Sequence, residues 1–91
     1  NPDRAKLLLR EAISRNPSLA EAHAQLGDVC AWNNEPDAAL EAVRTALRLS
    51  PNDLLVFAML SIMATAFWMK GDWGAAFEHA EAAIVRRPGY W

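Results

Sequence analysis

Cys30 and His23 are the residues of this chain that could support nucleophilic catalysis, because an imidazole can activate a thiol. They are seven positions apart on one predicted helix, which puts them on the same face but roughly 10 Å apart along the axis. A general base must lie within about 2.6–3.2 Å of the group that it deprotonates. We therefore expect both side chains to fill the core and not to form a catalytic pair.

His79 is no stronger a candidate for a catalytic or metal-binding residue. Its helix places only Glu78 and Glu81 near it, and neither has the i+4 spacing of a metal-chelating pair. No Cys and His cluster has zinc-ligand spacing, and no glycine-rich loop is present to hold phosphate. The sequence thus predicts a chain with no catalytic residues, no metal site and no cofactor.

Composition narrows the class of protein further. The chain has 91 residues, 53% of them hydrophobic and 22% charged, which is typical of one small globular domain. The net charge of −2 lacks the basic surface that nucleic-acid binding needs. One cysteine excludes an internal disulfide and indicates a reducing compartment, so we expect a cytoplasmic location.

Two segments are candidates for a signal peptide and a membrane span. The opening residues Asn1-Pro2-Asp3-Arg4 contain neither Met nor a basic-then-apolar leader, so we expect no signal peptide and a piece of a longer protein. Residues Leu54–Met69 carry no charge. As a helix this segment would be roughly 24 Å long, shorter than the ~30 Å hydrocarbon core of a bilayer. It is predicted to be a buried helix and not a membrane span.

The prolines reveal an internal repeat. Pro17 and Pro51 are 34 residues apart, and Pro88 follows 37 residues after Pro51, a period typical of helical repeats. Laying residues 20–53 over residues 57–90 aligns Ala39 with Ala76, Ala46 with Ala83, Leu26 with Met63, and Asn34 with Gly71. We interpret residues 1–17 as the second helix of a partial repeat. Residues 18–53 form a full repeat, and residues 54–91 form a second one with a three-residue insertion.

Local signals predict five helices and no strands. The capping residues expected at the helix starts are Asn1, Ser18 (in a capping box with Glu21), Asp53 and Asp72. Asn34 and Gly71 tolerate the left-handed turn that ends a helix. The predicted helices are Pro2–Arg15, Leu19 to about Trp32 or Asn33, Pro36–Leu49, Leu54–Met69 and Trp73–Arg86.

Small residues at the repeated positions predict how these helices pack. Ala39, Ala42 and Ala46 form a smooth stripe that lets a partner helix approach closely. Each helix pair still leaves apolar surface uncovered and must stack on a neighbour. The predicted architecture is an all-α solenoid of two and a half helix pairs.

The repeat resembles the tetratricopeptide repeat, which has a Leu-Gly pair, two small residues and a closing proline. The likeness covers essentially the whole chain, although His23 and Cys30 replace the usual aromatic residues and Met63-Ala64 replaces the second Leu-Gly. It implies a right-handed superhelix that serves as a protein–protein interaction module. The matching residues are Leu26-Gly27, Ala39, Ala46 and Pro51, then Gly71-Asp72-Trp73, Ala76, Ala83 and Pro88.

A narrower resemblance concerns the longer protein. The segments Leu49–Asp53, Lys70–Trp73 and Arg87–Tyr90, with the 37-residue spacing, are similar to one bacterial group of these modules. In that group the module follows a class III adenylate or guanylate cyclase domain, or a winged-helix transcriptional regulator. The likeness implies a regulatory or scaffolding segment of a signalling protein whose enzymatic activity lies in a separate upstream domain.

The concave surface of such a solenoid comes from the first helix of each pair. It contains no Lys or Arg, so an acidic partner is disfavoured, and we expect a neutral to basic peptide with an apolar anchor. Trp32 and Trp68 could form a binding hot spot there or could cover the neighbouring helix. The expected lining is Glu21, Ala24, Gln25, Asp28, Trp32, Ala58, Ser61, Ile62, Thr65, Trp68 and Met69.

A structural role is the alternative to peptide capture. The predicted helix Leu54–Met69 is apolar on more than one face, with one stripe through Phe57 and Phe67 and another through Met59 and Ile62. Surface that no later repeat covers would favour self-association through the C-terminal helices. Under this alternative the chain only stacks on neighbouring repeats or on another copy of itself.

Overall fold

The computed structural model describes residues 1–87, and within them it contains five α-helices and no strand. The all-α class and the number of helices are confirmed. Pro88, Gly89, Tyr90 and Trp91, which end the second predicted repeat, lie outside the described residues. The helices are α1 (Pro2–Arg15), α2 (Ala20–Trp32), α3 (Pro36–Leu49), α4 (Val56–Met69) and α5 (Trp73–Arg86).

Two of the four predicted caps are confirmed. The Asn1 carboxamide oxygen accepts hydrogen bonds from the backbone N–H groups of Asp3 and Arg4, at 2.9 and 3.3 Å. Asp72 accepts from the N–H of Ala75 at 3.2 Å. In both places a side chain satisfies N–H groups that the first turn of a helix leaves without a partner.

The predicted capping box at Ser18 is wrong. Helix α2 begins at Ala20 with Leu19 as its N-cap, so Ser18 stands one residue before the capping position and Glu21 one residue short of the required register. The Ser18 hydroxyl donates to the Asn16 side chain instead, at 3.0 Å. The Glu21 carboxylate accepts from Gln25.

The predicted start of α4 is also wrong. The helix begins at Val56 and not at Leu54, and Asp53 does not cap it. The Asp53 carboxylate accepts from the N–H of Leu55 at 2.8 Å and from the Ser50 hydroxyl at 3.3 Å, which closes a turn ahead of the helix. Two of the three inserted residues therefore lengthen the α3–α4 connection, and the third makes α4 one residue longer than α2.

The ends of α2 and α4 repeat each other 37 residues apart. Asn34 and Gly71 both have positive φ, at 60° and 79°, as the sequence predicts. After them the N–H of Glu35 donates to the Cys30 carbonyl, and the N–H of Asp72 donates to the Phe67 carbonyl, at 2.8 and 3.0 Å. These i to i−5 bonds are the mark of a Schellman motif, which reverses the chain and sends the next helix back along the first.

The small residues lie where adjacent helices approach. Ala39 and Ala46 are fully buried in α3, and their repeat partners Ala76 and Ala83 are buried in α5. A Cβ atom added to Gly27 would lie 2.4 Å from Cγ2 of Val43 and 3.2 Å from the Ala39 carbonyl oxygen. The absence of a side chain at residue 27 thus allows α2 and α3 to pack closely.

Helix α4 packs on the pair formed by α2 and α3. Its buried stripe is Val56, Met59, Met63 and Ala66, at positions i, i+3, i+7 and i+10. The two stripes expected from the sequence do not include Val56 or Met63. The same apolar residues fit several helical faces, and only contact with α2 and α3 selects one.

An ion pair ties α1 to the turn between α2 and α3. The Lys6 ammonium lies 2.7 Å from the Glu35 carboxylate, which also accepts from the Asn33 amide at 3.1 Å. These two donors hold the pKa of Glu35 below its ordinary value of 4.5, the Lys6 bond being the larger cause. The bond to Glu35 likewise raises the pKa of Lys6.

This pair predicts a specific pH dependence. A carboxylate with a lowered pKa stabilises the fold above its unfolded pKa, and that contribution is lost as pH falls through the folded value. As the pH falls from about 5 to about 3, we expect Glu35→Gln to lose less stability than the wild type. Urea unfolding over that range measures it, with Glu41→Gln on the exposed face of α3 as the control. Identical pH profiles for wild type and Glu35→Gln would contradict the role assigned to this pair.

Candidate functional site

A groove runs between the two first-of-pair helices, α2 and α4. It consists of two adjoining cavities of about 330 and 400 Å³ that share Asp28, Ser61 and Ile62. Helix α2 packs side by side with α4 while α3 supports both from behind, so the groove has a rigid helical floor. A cleft of this size, mostly apolar with few polar groups, is typical of a binding site.

Most of the residues predicted for the concave surface lie along this groove. Ten of the eleven predicted concave residues line the two cavities; the exception is Trp68. The ten are Glu21, Ala24, Gln25, Asp28, Trp32, Ala58, Ser61, Ile62, Thr65 and Met69. Whether they bind a peptide stays a prediction.

Trp68 lies in another groove, between α4 and α5. Its ring meets Trp73 edge to face, with 4.5 Å between the ring centroids. Both tryptophans line a cavity of about 550 Å³ with Phe77 of α5. Trp68 therefore does not line the groove between α2 and α4, although the sequence analysis includes it in the concave lining. It lies against α5, which fits the alternative that it covers the neighbouring helix. A step of one residue along the helix, from Met69 to Trp68, turns the side chain toward α5.

Four lining residues were missed by the sequence analysis: Ala31, Leu55, Phe57 and Met59. Leu55 enters the groove because it belongs to the turn ahead of α4, which the sequence places inside the helix. Met59 is assigned correctly to the apolar side of α4, but it both fills the core and reaches the groove floor. No sequence signal distinguishes these two surfaces on a helix that is apolar on several faces.

The charges of the groove are all negative. Among the residues that the structure describes, Glu21 and Asp28 are the only ionisable ones that line it. The ion pairs found within residues 1–87 join Lys6 to Asp3 and Glu35, and Lys70 to Asp37, so neither groove carboxylate has a cationic partner there. Two carboxylates beside apolar walls favour a cationic or N–H-rich ligand.

The hydroxyl groups on the floor are already engaged. Ser61 donates to the Phe57 carbonyl at 2.9 Å, and Thr65 donates to the Ser61 carbonyl at 3.1 Å, each one turn back in α4. These hydroxyls can still accept a hydrogen bond from a ligand. Toward a ligand, these two hydroxyls thus act as acceptors.

Trp32 stands on the rim and is 84% exposed. It lines the smaller cavity together with Ile62 and Met69, so its ring borders an apolar part of the groove. Tryptophan can bury a large area on binding and loses little side-chain entropy. An exposed ring at this position contributes little to the core and is available to a partner.

The residues considered for catalysis are occupied by structural contacts. Cys30 is buried in the core, and this burial raises the pKa of its thiol, which keeps it protonated. A ring nitrogen of His23 lies 2.9 Å from the Pro17 carbonyl, and one of His79 lies 2.8 Å from the Ala75 carbonyl. A carbonyl only accepts, so these nitrogens carry hydrogen.

Residues 1–87 contain neither a metal-binding cluster nor a helix that could span a membrane. No group of three or more His, Cys, Asp or Glu side chains in this part of the chain is placed to hold a metal ion. The longest apolar helix there, α4, has 14 residues, and none of the helices within these bounds could cross a membrane.

The comparisons with known proteins agree with this arrangement. A model of the tetratricopeptide repeat family matches residues 1–62, which is more than half of the chain. No curated protein matches the chain significantly. The family match, the five helices and the repeated helix ends together establish the class, and the chain belongs to the tetratricopeptide repeat family. Repeats of this family generally serve as protein–protein interaction modules.

Proposed function

We propose that the groove between α2 and α4 binds a peptide segment of a partner protein, and that this segment is neutral to basic and carries an apolar anchor. One observation carries the proposal: an apolar groove has an exposed tryptophan on its rim and two carboxylates that have no cationic partner within residues 1–87. The anchor would insert beside Ile62 and Met69 under the Trp32 ring. A basic side chain would pair with Asp28 or Glu21.

The charge preference excludes one common class of partner. A ligand with an acidic tail or a free C-terminal carboxylate needs basic side chains for charge-assisted hydrogen bonds. None of the described residues that line the groove is basic. Such a ligand would instead meet two like charges and be repelled.

A matched pair of peptides tests the proposal. Both are ten residues long with a central Leu-Phe anchor, and they differ only in flanking lysines or flanking glutamates. We expect the lysine peptide to bind at least tenfold more tightly at low salt, with a smaller difference at high salt because exposed charges are screened. Isothermal titration calorimetry measures both affinities. Tighter binding of the glutamate peptide would overturn the proposed specificity.

Trp32→Ala separates binding from stability. A hot-spot tryptophan costs about 2 kcal/mol or more of binding energy when truncated, which is roughly a thirtyfold loss of affinity. Because Trp32 is so exposed, we expect its unfolding free energy to change by less than about 0.5 kcal/mol. Trp68→Ala, outside this groove, is the matched control and should leave peptide affinity unchanged. Lost stability with unchanged affinity in Trp32→Ala would favour a purely structural role.

A second candidate function is stacking, in which the chain serves only to join further repeats or another copy of itself. The observation that favours it is the exposed apolar side of α4 and α5, which includes Trp68, Phe77 and Ile84. The two surfaces meet along α4, where Phe57, Ser61 and Thr65 line cavities on both sides.

The role of the longer protein is a separate proposal that rests only on the narrower sequence resemblance. We propose a cytoplasmic bacterial signalling protein in which repeats 18–53 and 54–91 form a regulatory or scaffolding segment. Any enzymatic activity, such as that of a nucleotide cyclase, would lie in an upstream domain. The sequence that precedes Asn1 in the gene tests this: a class III cyclase or winged-helix domain is expected, and any other domain would contradict it.

A further inference from the structure

One end of the groove between α2 and α4 combines a carboxylate with an exposed aromatic ring. Asp28 and Trp32 are four residues apart in α2, so their Cβ atoms are about 5–6 Å apart on one face. Both line the cavity of about 330 Å³. Side chains in a helix lean toward its N-terminus, so the Trp32 ring leans toward the turn that contains Asp28. A cation that pairs with this carboxylate therefore comes within reach of the ring.

The two carboxylates of the groove differ in what they offer a cation. Asp28 is exposed and has no cationic partner within residues 1–87. Glu21 lies eleven residues before Trp32, which is roughly 16 Å along the helix axis. Glu21 also accepts a hydrogen bond from the Gln25 amide at 3.1 Å. Of the two, only Asp28 can hold a cation against the Trp32 ring.

The opposite wall of this cavity adds hydrogen-bond acceptors. Ser61 and Thr65 of α4 line it, and both donate their hydroxyl hydrogens to backbone carbonyls of the same helix. Their oxygens can still accept. A flat group with N–H donors on several edges can therefore meet acceptors on both helices at once.

We propose that this cavity selects an arginine of the bound peptide, with Asp28 as its ion-pair partner and Trp32 as its stacking partner. The inference rests on the function proposed above and names the residue type that the groove prefers. A guanidinium has five N–H donors in one plane, which suits a carboxylate on one side and hydroxyl oxygens on the other. Its face also stacks on an aromatic ring.

Lysine fits this cavity less well. Its ammonium is a compact, strongly hydrated charge with three donors, and it has no planar face to lay on an indole. A guanidinium is more weakly hydrated, so it loses less on contact with the ring. The apolar anchor stays beside Ile62 and Met69. Trp32 is 84% exposed, so its ring has enough free surface to contact both parts of the ligand.

Three matched peptides test this selection. Each has ten residues and the central Leu-Phe anchor, and they differ only in flanking arginines, lysines or citrullines. Citrulline keeps the shape of arginine without its charge. Isothermal titration calorimetry measures their affinities for the wild type, Asp28→Asn, Trp32→Leu and Glu21→Gln. Trp32→Leu keeps an apolar side chain for the anchor but removes the aromatic face, and all three positions are exposed, so the variants should melt like the wild type.

We expect the wild type to bind the arginine peptide about fivefold more tightly than the lysine peptide, and the citrulline peptide more weakly than either. Trp32→Leu should bring the arginine and lysine affinities within about twofold of each other. Asp28→Asn should weaken both charged peptides and reduce their ratio. Glu21→Gln should weaken both by the same factor and leave the ratio unchanged.

Equal binding of the arginine and lysine peptides to the wild type would overturn this inference and leave the proposed function standing. An arginine preference that persists in Trp32→Leu would overturn it as well. So would a preference that falls in Glu21→Gln as much as in Asp28→Asn. If none of the peptides binds the wild type, the proposed function fails and this inference fails with it.

Discussion

Met59→Ala is expected to lower the free energy of unfolding by about 2–5 kcal/mol. The side chain is 1% exposed and is among the largest that are fully buried in residues 1–87. It joins α4 to the cluster formed by α2 and α3, so truncation leaves a cavity between two helix pairs. A domain of this size is stable by only about 5–15 kcal/mol, so this one change removes a large part of the total.

Urea unfolding followed by circular dichroism measures the loss. Met69→Ala, on the same helix but 39% exposed, is the matched control and should cost less than about 1 kcal/mol. Similar losses for the two variants would show that α4 does not dock through the face described here. The comparison tests the packing between repeats directly, because Met59 contacts the first helix pair from the second.

Gly27→Ala has the second largest expected effect. The new Cβ would lie 2.4 Å from Cγ2 of Val43, and Val43 is completely buried. Overpacking of this kind costs about 1–3 kcal/mol. Replacing glycine in a helix gains about 1 kcal/mol, which does not offset the upper part of this overpacking cost. We expect a fall of about 4–8 °C in melting temperature for each kcal/mol lost.

Two variants make this prediction specific. Gly74→Ala, near the start of α5, meets nothing within 4 Å and should be neutral or slightly stabilising. Adding Val43→Ala to Gly27→Ala removes the clashing methyl group, so the double variant should be more stable than the sum of the single effects predicts. Calorimetric melting temperatures provide the measurement. Strict additivity, or equal losses in Gly27→Ala and Gly74→Ala, would contradict the close approach of α2 and α3.

Much of the fold can be predicted from sequence because the same signals for helix starts and ends occur in both repeats. Pro36 and the cap at Asp72 define two helix starts, and Asn34 and Gly71 occupy the left-handed positions that end α2 and α4. A conformation that few residue types tolerate leaves a clear sequence signal. The starts of α2 and α4 were missed because Ser18 and Asp53 have other hydrogen-bond partners, in turns whose register no local rule fixes.

The groove was predicted well for a similar reason, since residues on one face of a helix recur with a fixed period. This reasoning does not give the correct position of Trp68. It lies one residue from Met69, and the choice of facing α2 or α5 depends on the angle at which α4 packs. That angle is set by the fit of Met59 and Met63 against the first pair, which is a tertiary property.

The most direct test of the proposed function is a selection of random twelve-residue peptides on the immobilised chain, followed by affinity measurement on the wild type, Trp32→Ala and Asp28→Asn. We expect selected peptides that are neutral to basic with one large apolar residue, and that bind both variants at least tenfold more weakly. Selected peptides that are acidic, or whose affinity is the same for all three proteins, would contradict the assignment of the groove between α2 and α4 as the binding site.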